Sequence, residues 1–73
     1  MPSPIVSEAR AVQAFERAGW RVSRRRGSHI VLTRPATSNT LSVPDHDELD
    51  RGTLRSLIRK ADLTADEFTK LLD

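Results

Sequence analysis

Cysteine is absent from these 73 residues, so no disulfide can staple the chain. A domain this short buries only roughly 60% of the surface its unfolded chain exposes. Marginal stability is therefore expected, with stabilisation by any partner that binds only the folded form. Long hydrophobic runs are missing too. The longest strongly apolar stretch is Ile30-Val31-Leu32, far short of the roughly 20 residues that span a bilayer. The opening Met1-Pro2-Ser3-Pro4 lacks the basic and apolar regions of a signal peptide, so a cytoplasmic location away from any membrane is expected. Internal repeats, low-complexity tracts and linkers are also lacking, and residues 1–73 read as one domain.

Acidic residues are missing from one long segment and basic residues from the next. From Trp20 to Pro44 there are five arginines (Arg21, Arg24, Arg25, Arg26 and Arg34) and no acid. From Asp45 to Asp50 there are four acids and no lysine or arginine. The formal net charge is only +2, so this uneven distribution says more than the sum. Ten of the twelve basic residues are arginine, whose planar guanidinium matches phosphate geometry. Local positive charge of this kind suits a polyanion; a merely solvated basic surface is the plainer reading.

Apolar periodicity sets out the elements. Ser7 is placed to cap a helix over residues 8–18, with Ala11, Val12, Phe15 and Ala18 along one stripe and Gly19 closing it. Trp20 and Val22 alternate with Arg21 and Ser23 as a first strand, and Ile30 and Leu32 alternate with His29, Val31 and Thr33 as a second. A three-residue turn, Arg25-Arg26-Gly27, is expected to join them. That register pairs Arg24 with Ser28, Ser23 with His29, Val22 with Ile30 and Trp20 with Leu32. It turns His29 away from the core, beside Ser23 and Arg25. Pro35 to Asn39 reads as a loop, and Thr40 to Val43 as a third short strand that Pro44 ends. Asp50 caps a second helix with Leu54, Leu57, Ile58 and Ala61 inward, and the Thr64 to Glu67 capping box opens a third with Phe68, Leu71 and Leu72. Val12, Phe15, Leu41, Val43 and Leu63 complete the expected core. The order αβββαα, three antiparallel strands covered on one face by helices, makes an α+β domain.

The run Arg24-Arg25-Arg26-Gly27-Ser28-His29 carries the chemistry. Three guanidiniums that grip phosphate stand beside the one side chain that ordinarily exchanges protons near pH 7. Metal-free RNA cleavage needs a base to take the 2′-OH proton, donors for the charged phosphorane and an acid for the 5′-oxygen. His29 is the candidate base or acid, and Arg24, Arg25 and Arg26 are the candidate donors, with Ser28 as a further RNA contact. A second proton-transfer group is not evident. The plainer reading of His29 is an ordinary strand residue on a solvated face.

Other residues are weighed in the same way. His46, between Asp45 and Asp47, reads either as a metal ligand or as a loop residue ordering the turn before the second helix. No spacing here matches a defined metal motif, so the loop reading is preferred, and neither metal nor cofactor is expected. Trp20 could stack a base, but its phase makes it a core anchor. Arg51, Arg55 and Arg59 stack at i, i+4 and i+8 on the outer side of the second helix. They read as phosphate contacts or as a solvated face paired with nearby acids.

Two motifs, in order, give the chain a family resemblance. One is Gly27-Ser28-His29, the turn into the second strand. The other is Val43-Pro44-x-His46 followed by Gly52-Thr53-Leu54-Arg55-Ser56-Leu57-Ile58-Arg59-Lys60-Ala61 and a Leu63 to Phe68 tail. Together they resemble the HicA-type (YcfA-like) toxins of toxin–antitoxin modules across almost the whole chain. The resemblance implies a fold like the double-stranded-RNA-binding domain and an mRNA-cleaving endoribonuclease that arrests growth, with His29 as catalytic residue. It also implies a HicB-type antitoxin that covers His29. No direct DNA binding is expected from such a toxin alone. A non-catalytic double-stranded-RNA-binding module is the alternative, since such modules read A-form shape through 2′-OH and phosphate contacts. A pure protein-interaction domain is a third reading.

Overall fold

The computed structural model describes residues 6–72; the Met1 to Pro4 stretch lies outside them. Helix α1 (Glu8–Arg17) leads into strands β1 (Arg21–Arg26), β2 (His29–Arg34) and β3 (Thr37–Pro44), then helices α2 (Arg51–Lys60) and α3 (Ala65–Leu71). The strands form one antiparallel sheet in the order β1-β2-β3. The αβββαα order and α+β class agree with the sequence reading.

The helix starts form as their side chains dictate. Ser7 Oγ accepts from the Arg10 amide at 3.3 Å. Asp50 Oδ2 accepts from the Gly52 and Thr53 amides. Thr64 and Glu67 form the reciprocal capping box. Each satisfies amides that a helix start leaves without partners.

The ends of α1 and α2 share one closure. The Gly19 amide donates to Glu16 O and the Trp20 amide to Phe15 O; the Asp62 amide donates to Arg59 O and the Leu63 amide to Ile58 O. Both are Schellman closures, in which the second residue beyond the cap folds back onto the last turn. The first delivers Trp20 onto Phe15 in the core, and the second brings Leu63 against Ile58. Such a closure needs a left-handed residue. Gly19 takes it at φ +102, whereas α2 uses Asp62 at φ +64, the one described non-glycine residue with positive φ.

The core lies between the inner sheet face and the helices. Trp20, Phe15, Leu32, Leu41, Val6 and Val43 are its largest fully buried side chains. Phe15 and Phe68, with ring centroids 5.2 Å apart, join α1 to α3. The Arg34 guanidinium lies over the Trp20 ring at 4.9 Å, so one of the five clustered arginines serves the core through a cation–π contact. Val6 and Leu49 are also buried. The Leu49 amide donates to Val6 O at 2.8 Å and the Glu8 amide to His46 O at 3.0 Å. The acidic loop therefore ties down the segment before α1, which the sequence does not announce because Ile5-Val6 and Leu49 are too short as apolar stretches to show a period.

Three expectations are corrected. The β1–β2 connection is the two-residue turn Gly27-Ser28, not Arg25-Arg26-Gly27, and the pairs are Arg26 with His29, Arg25 with Ile30, Arg24 with Val31 and Val22 with Leu32. Strand β3 begins at Thr37, so the expected loop Pro35 to Asn39 shrinks to a turn at Pro35 and Ala36. Val22, expected in the core, is 47% exposed because all of β1 is an exposed edge strand.

Asp62→Gly is expected to raise stability by about 0.5–1 kcal/mol, because left-handed backbone costs a residue with a Cβ more than glycine. Gly19→Ala should lower it by about 1 kcal/mol for the same reason. Urea midpoints at unchanged slope measure both, and a lower midpoint for Asp62→Gly would refute the strain argument.

Candidate nucleic-acid interface

Strand alternation divides the sheet into two faces. Ile30, Leu32, Leu41 and Val43 point inward and are buried. Their neighbours on the outer face open a cleft of about 440 Å³ lined by Arg24, Arg26, His29, Val31, Thr40 and Ser42.

A bulge decides which arginines join this cleft. Between Val22 and Arg24 the register shifts, leaving Ser23 as an extra residue on β1. Regular pairing from Val22 onward would place Arg25 opposite His29. The bulge advances β1 by one residue, so Arg26 faces His29 and Arg24 faces Val31. Directly opposed residues share a face, which puts both guanidiniums on the His29 side. Arg25 falls opposite Ile30 and reaches Asp45 at 3.7 Å. Both partners of that ion pair are more than half exposed, so it adds little stability. The expected placement of His29 beside Ser23 and Arg25 is therefore corrected to Arg24 and Arg26.

Backbone contacts fix the imidazole's base. His29 pairs with Arg26 on one side and with Pro44 on the other. The Asp45 amide donates to Ser28 O at 2.7 Å, locking the turn before His29 to the end of β3. Ser28 thus sits in the turn itself, and Gly27 takes φ +59 beside it.

The cleft's chemistry is one-sided. It holds two guanidiniums, one imidazole and two hydroxyls beside the one aliphatic side chain, Val31, and no carboxylate lines it. Among the described residues the one ion pair within 4.0 Å is Arg25–Asp45, which leaves Arg24 and Arg26 free to meet an anion. Aromatic rings are missing as well. The chain has one tryptophan, two phenylalanines and no tyrosine, and all three rings are buried. Such a surface offers charge and hydrogen bonds but no ring for aromatic stacking. Thr40 and Ser42 escaped the sequence reading, although their alternation with inward Leu41 and Val43 was the signal that marks them.

The other sequence candidates lie elsewhere. Arg51, Arg55 and Arg59 line a separate groove on α2 that shares no residue with the cleft. Leu57 is the buried residue of that helix and the cap residue Ala61 is buried beside it, whereas the three arginines are exposed. His46 is exposed and its backbone carbonyl caps α1. Among the described residues no three His, Asp or Glu side chains gather as a metal site, and no helix is long and apolar enough to cross a membrane.

Among curated proteins none matches the chain. A family model described as the HicA toxin of bacterial toxin–antitoxin systems matches residues 9–63. That span takes in the bulged hairpin, His29, all of β3 and all of α2, three-quarters of the sequence. The chain belongs to the HicA toxin family.

Proposed function

We propose that this toxin is an endoribonuclease that cleaves mRNA at the outer sheet face, with His29 as its catalytic residue, and so halts translation and growth. The observation that supports this most directly is the pairing of His29 with Arg26, beside Arg24, on a face without carboxylates. A phosphodiester held by the two guanidiniums lies within reach of the imidazole. His29 takes the 2′-OH proton, the 2′-oxygen attacks phosphorus, and Arg24 and Arg26 stabilise the charged phosphorane. The 5′-oxygen then leaves and takes a proton from solvent while His29 returns the one it took, giving a 2′,3′-cyclic phosphate and a 5′-OH. These residues need no metal for that reaction, and DNA, lacking the 2′-OH, resists it.

As a family member the chain has a HicB-type antitoxin as its partner. In our reading the antitoxin covers the cleft and His29 in the cytoplasm, where the mRNA lies. The contrary observation is that no second proton-transfer side chain lines the cleft. It favours the double-stranded-RNA-binding alternative, which predicts retention without cleavage and equal affinity for His29→Ala.

Wild type should cut RNA in EDTA, whereas His29→Ala should lose roughly 10²-fold or more in rate and keep its stability within about 0.5 kcal/mol, because the site is exposed. A folded His29→Ala protein that still cuts RNA at the wild-type rate would end this reading. The corrected register makes a separate prediction. Replacing Arg24 and Arg26 together by alanine should flatten the dependence of log K on log salt by about 1.4, at about 0.7 per single-strand phosphate contact. Arg25→Ala should leave that slope nearly unchanged, as binding measured across a salt series will show.

A further inference from the structure

A second groove, of about 540 Å³, lies between α2 and the start of α3 and shares no lining residue with the His29 cleft. Its floor is aliphatic. Leu54, Ile58 and Leu63 line it and are only partly buried. The Schellman closure of α2 builds that floor by folding Leu63 back against Ile58. The rim is Arg51, Arg55 and Arg59, each exposed. Asp62 is the one acid in the lining, and among the described residues none of the three arginines has a carboxylate within 4.0 Å. The stripe is therefore not a face neutralised by its own neighbours.

We propose that this groove docks an acidic amphipathic helix of a protein partner, with aliphatic anchors on Leu54, Ile58 and Leu63 and carboxylates against the three arginines. Arg51 and Arg59 stand eight residues apart, about 12 Å along the helix. Two to three turns of a partner helix match that length, and helix-in-groove recognition works through such spaced anchors. The floor argues against RNA, because phosphate and ribose gain nothing from covering three aliphatic side chains and no aromatic ring is present to stack a base. A second copy of this chain is a poor occupant as well. Its acidic stretch Asp45 to Asp50 holds one aliphatic residue, Leu49, and that residue is buried in its own core. The inference does not depend on what happens at His29, since docking here is read without any RNA cleavage.

The test uses the full-length protein, isotope-labelled, and a synthetic helical peptide of about 14 residues with leucines at i, i+4 and i+7 and glutamates between them. Its lysine counterpart and a short oligouridylate serve as competing probes. The glutamate peptide should shift the amide signals of Leu54, Ile58 and Leu63 saturably and leave those of His29, Val31 and Ser42 in place. Arg55→Glu and Arg59→Glu should each weaken it roughly tenfold; both side chains are exposed, and unchanged spectra elsewhere will confirm the fold. Four results would overturn the proposal: no saturable binding of the glutamate peptide below about 1 mM, equal binding of the lysine peptide, tighter occupation of the same groove by the oligouridylate, or self-association of the chain through these residues.

Discussion

The hairpin between β1 and β2 is the constraint on which the rest of the functional surface depends. Gly27 holds φ +59 at the first central position of a two-residue turn. That conformation is cheap for glycine and strained for any residue with a Cβ. A Cβ there would meet no neighbour, so the restriction is one of backbone conformation rather than space. The turn fixes Arg26 opposite His29, and the Ser23 bulge reconciles this pairing with Val22 on the inner face. Side chains alternate strictly along a strand, so a slip of one residue exchanges the faces. Here it would trade Arg24 and Arg26 for Arg25. The bulge also twists and interrupts the exposed edge of β1, which together with its arginines discourages pairing with another chain.

The anchoring of β1 explains how an exposed strand can be positioned at all. All six of its residues are exposed, so it gains little from burial. What holds it is the backbone ladder to β2 and the tryptophan that precedes it. Trp20 is placed by the closure of α1 onto Phe15, and Phe15 meets Phe68 of α3. The Arg34 guanidinium packs over the same indole from the end of β2. A line of contacts thus runs from α3 through α1 and Trp20 to the entry of β1. The rings available to a chain with so few aromatics are committed to this line, and the outer face has none to offer a base.

The helix caps, the closure at Gly19, the inward alternation of β2 and β3 and the element order were legible in the sequence, because each rests on patterns among near neighbours, the contacts of the caps and the closure spanning at most five residues. The hairpin register was not. Arg25-Arg26-Gly27 and Gly27-Ser28 both use glycine's left-handed conformation, and the apolar pattern of β1, with Trp20 and Val22 alone, fits more than one alignment. Only pairing with β2 separates them, and the Ser23 bulge has no composition of its own. His29 lies on the expected face even so, because its phase is set within β2 by Ile30 and Leu32. Its partners differ from the expected ones because their phase is set in β1, past the bulge. Val6, Leu49 and the tie between the acidic loop and α1 were missed for the same reason: the contacts join segments about forty residues apart, and nothing local marks them.

The two arginine groups answer different chemical demands, although composition alone presents them as one basic character. Arg24 and Arg26 stand with hydroxyls and an imidazole on a polar sheet face, in a cleft with one aliphatic lining residue, Val31. Arg51, Arg55 and Arg59 border leucine and isoleucine, where covering the groove removes aliphatic surface from water and the charges select what does the covering. Burial of that floor supplies affinity in proportion to area, while exposed charges chiefly govern encounter and selectivity. The sheet and helical layers therefore keep the two surfaces apart, and an occupant of one leaves the other open. A partner that needed to restrain the His29 cleft could hold the helical groove as well, gaining by linkage what neither contact supplies alone.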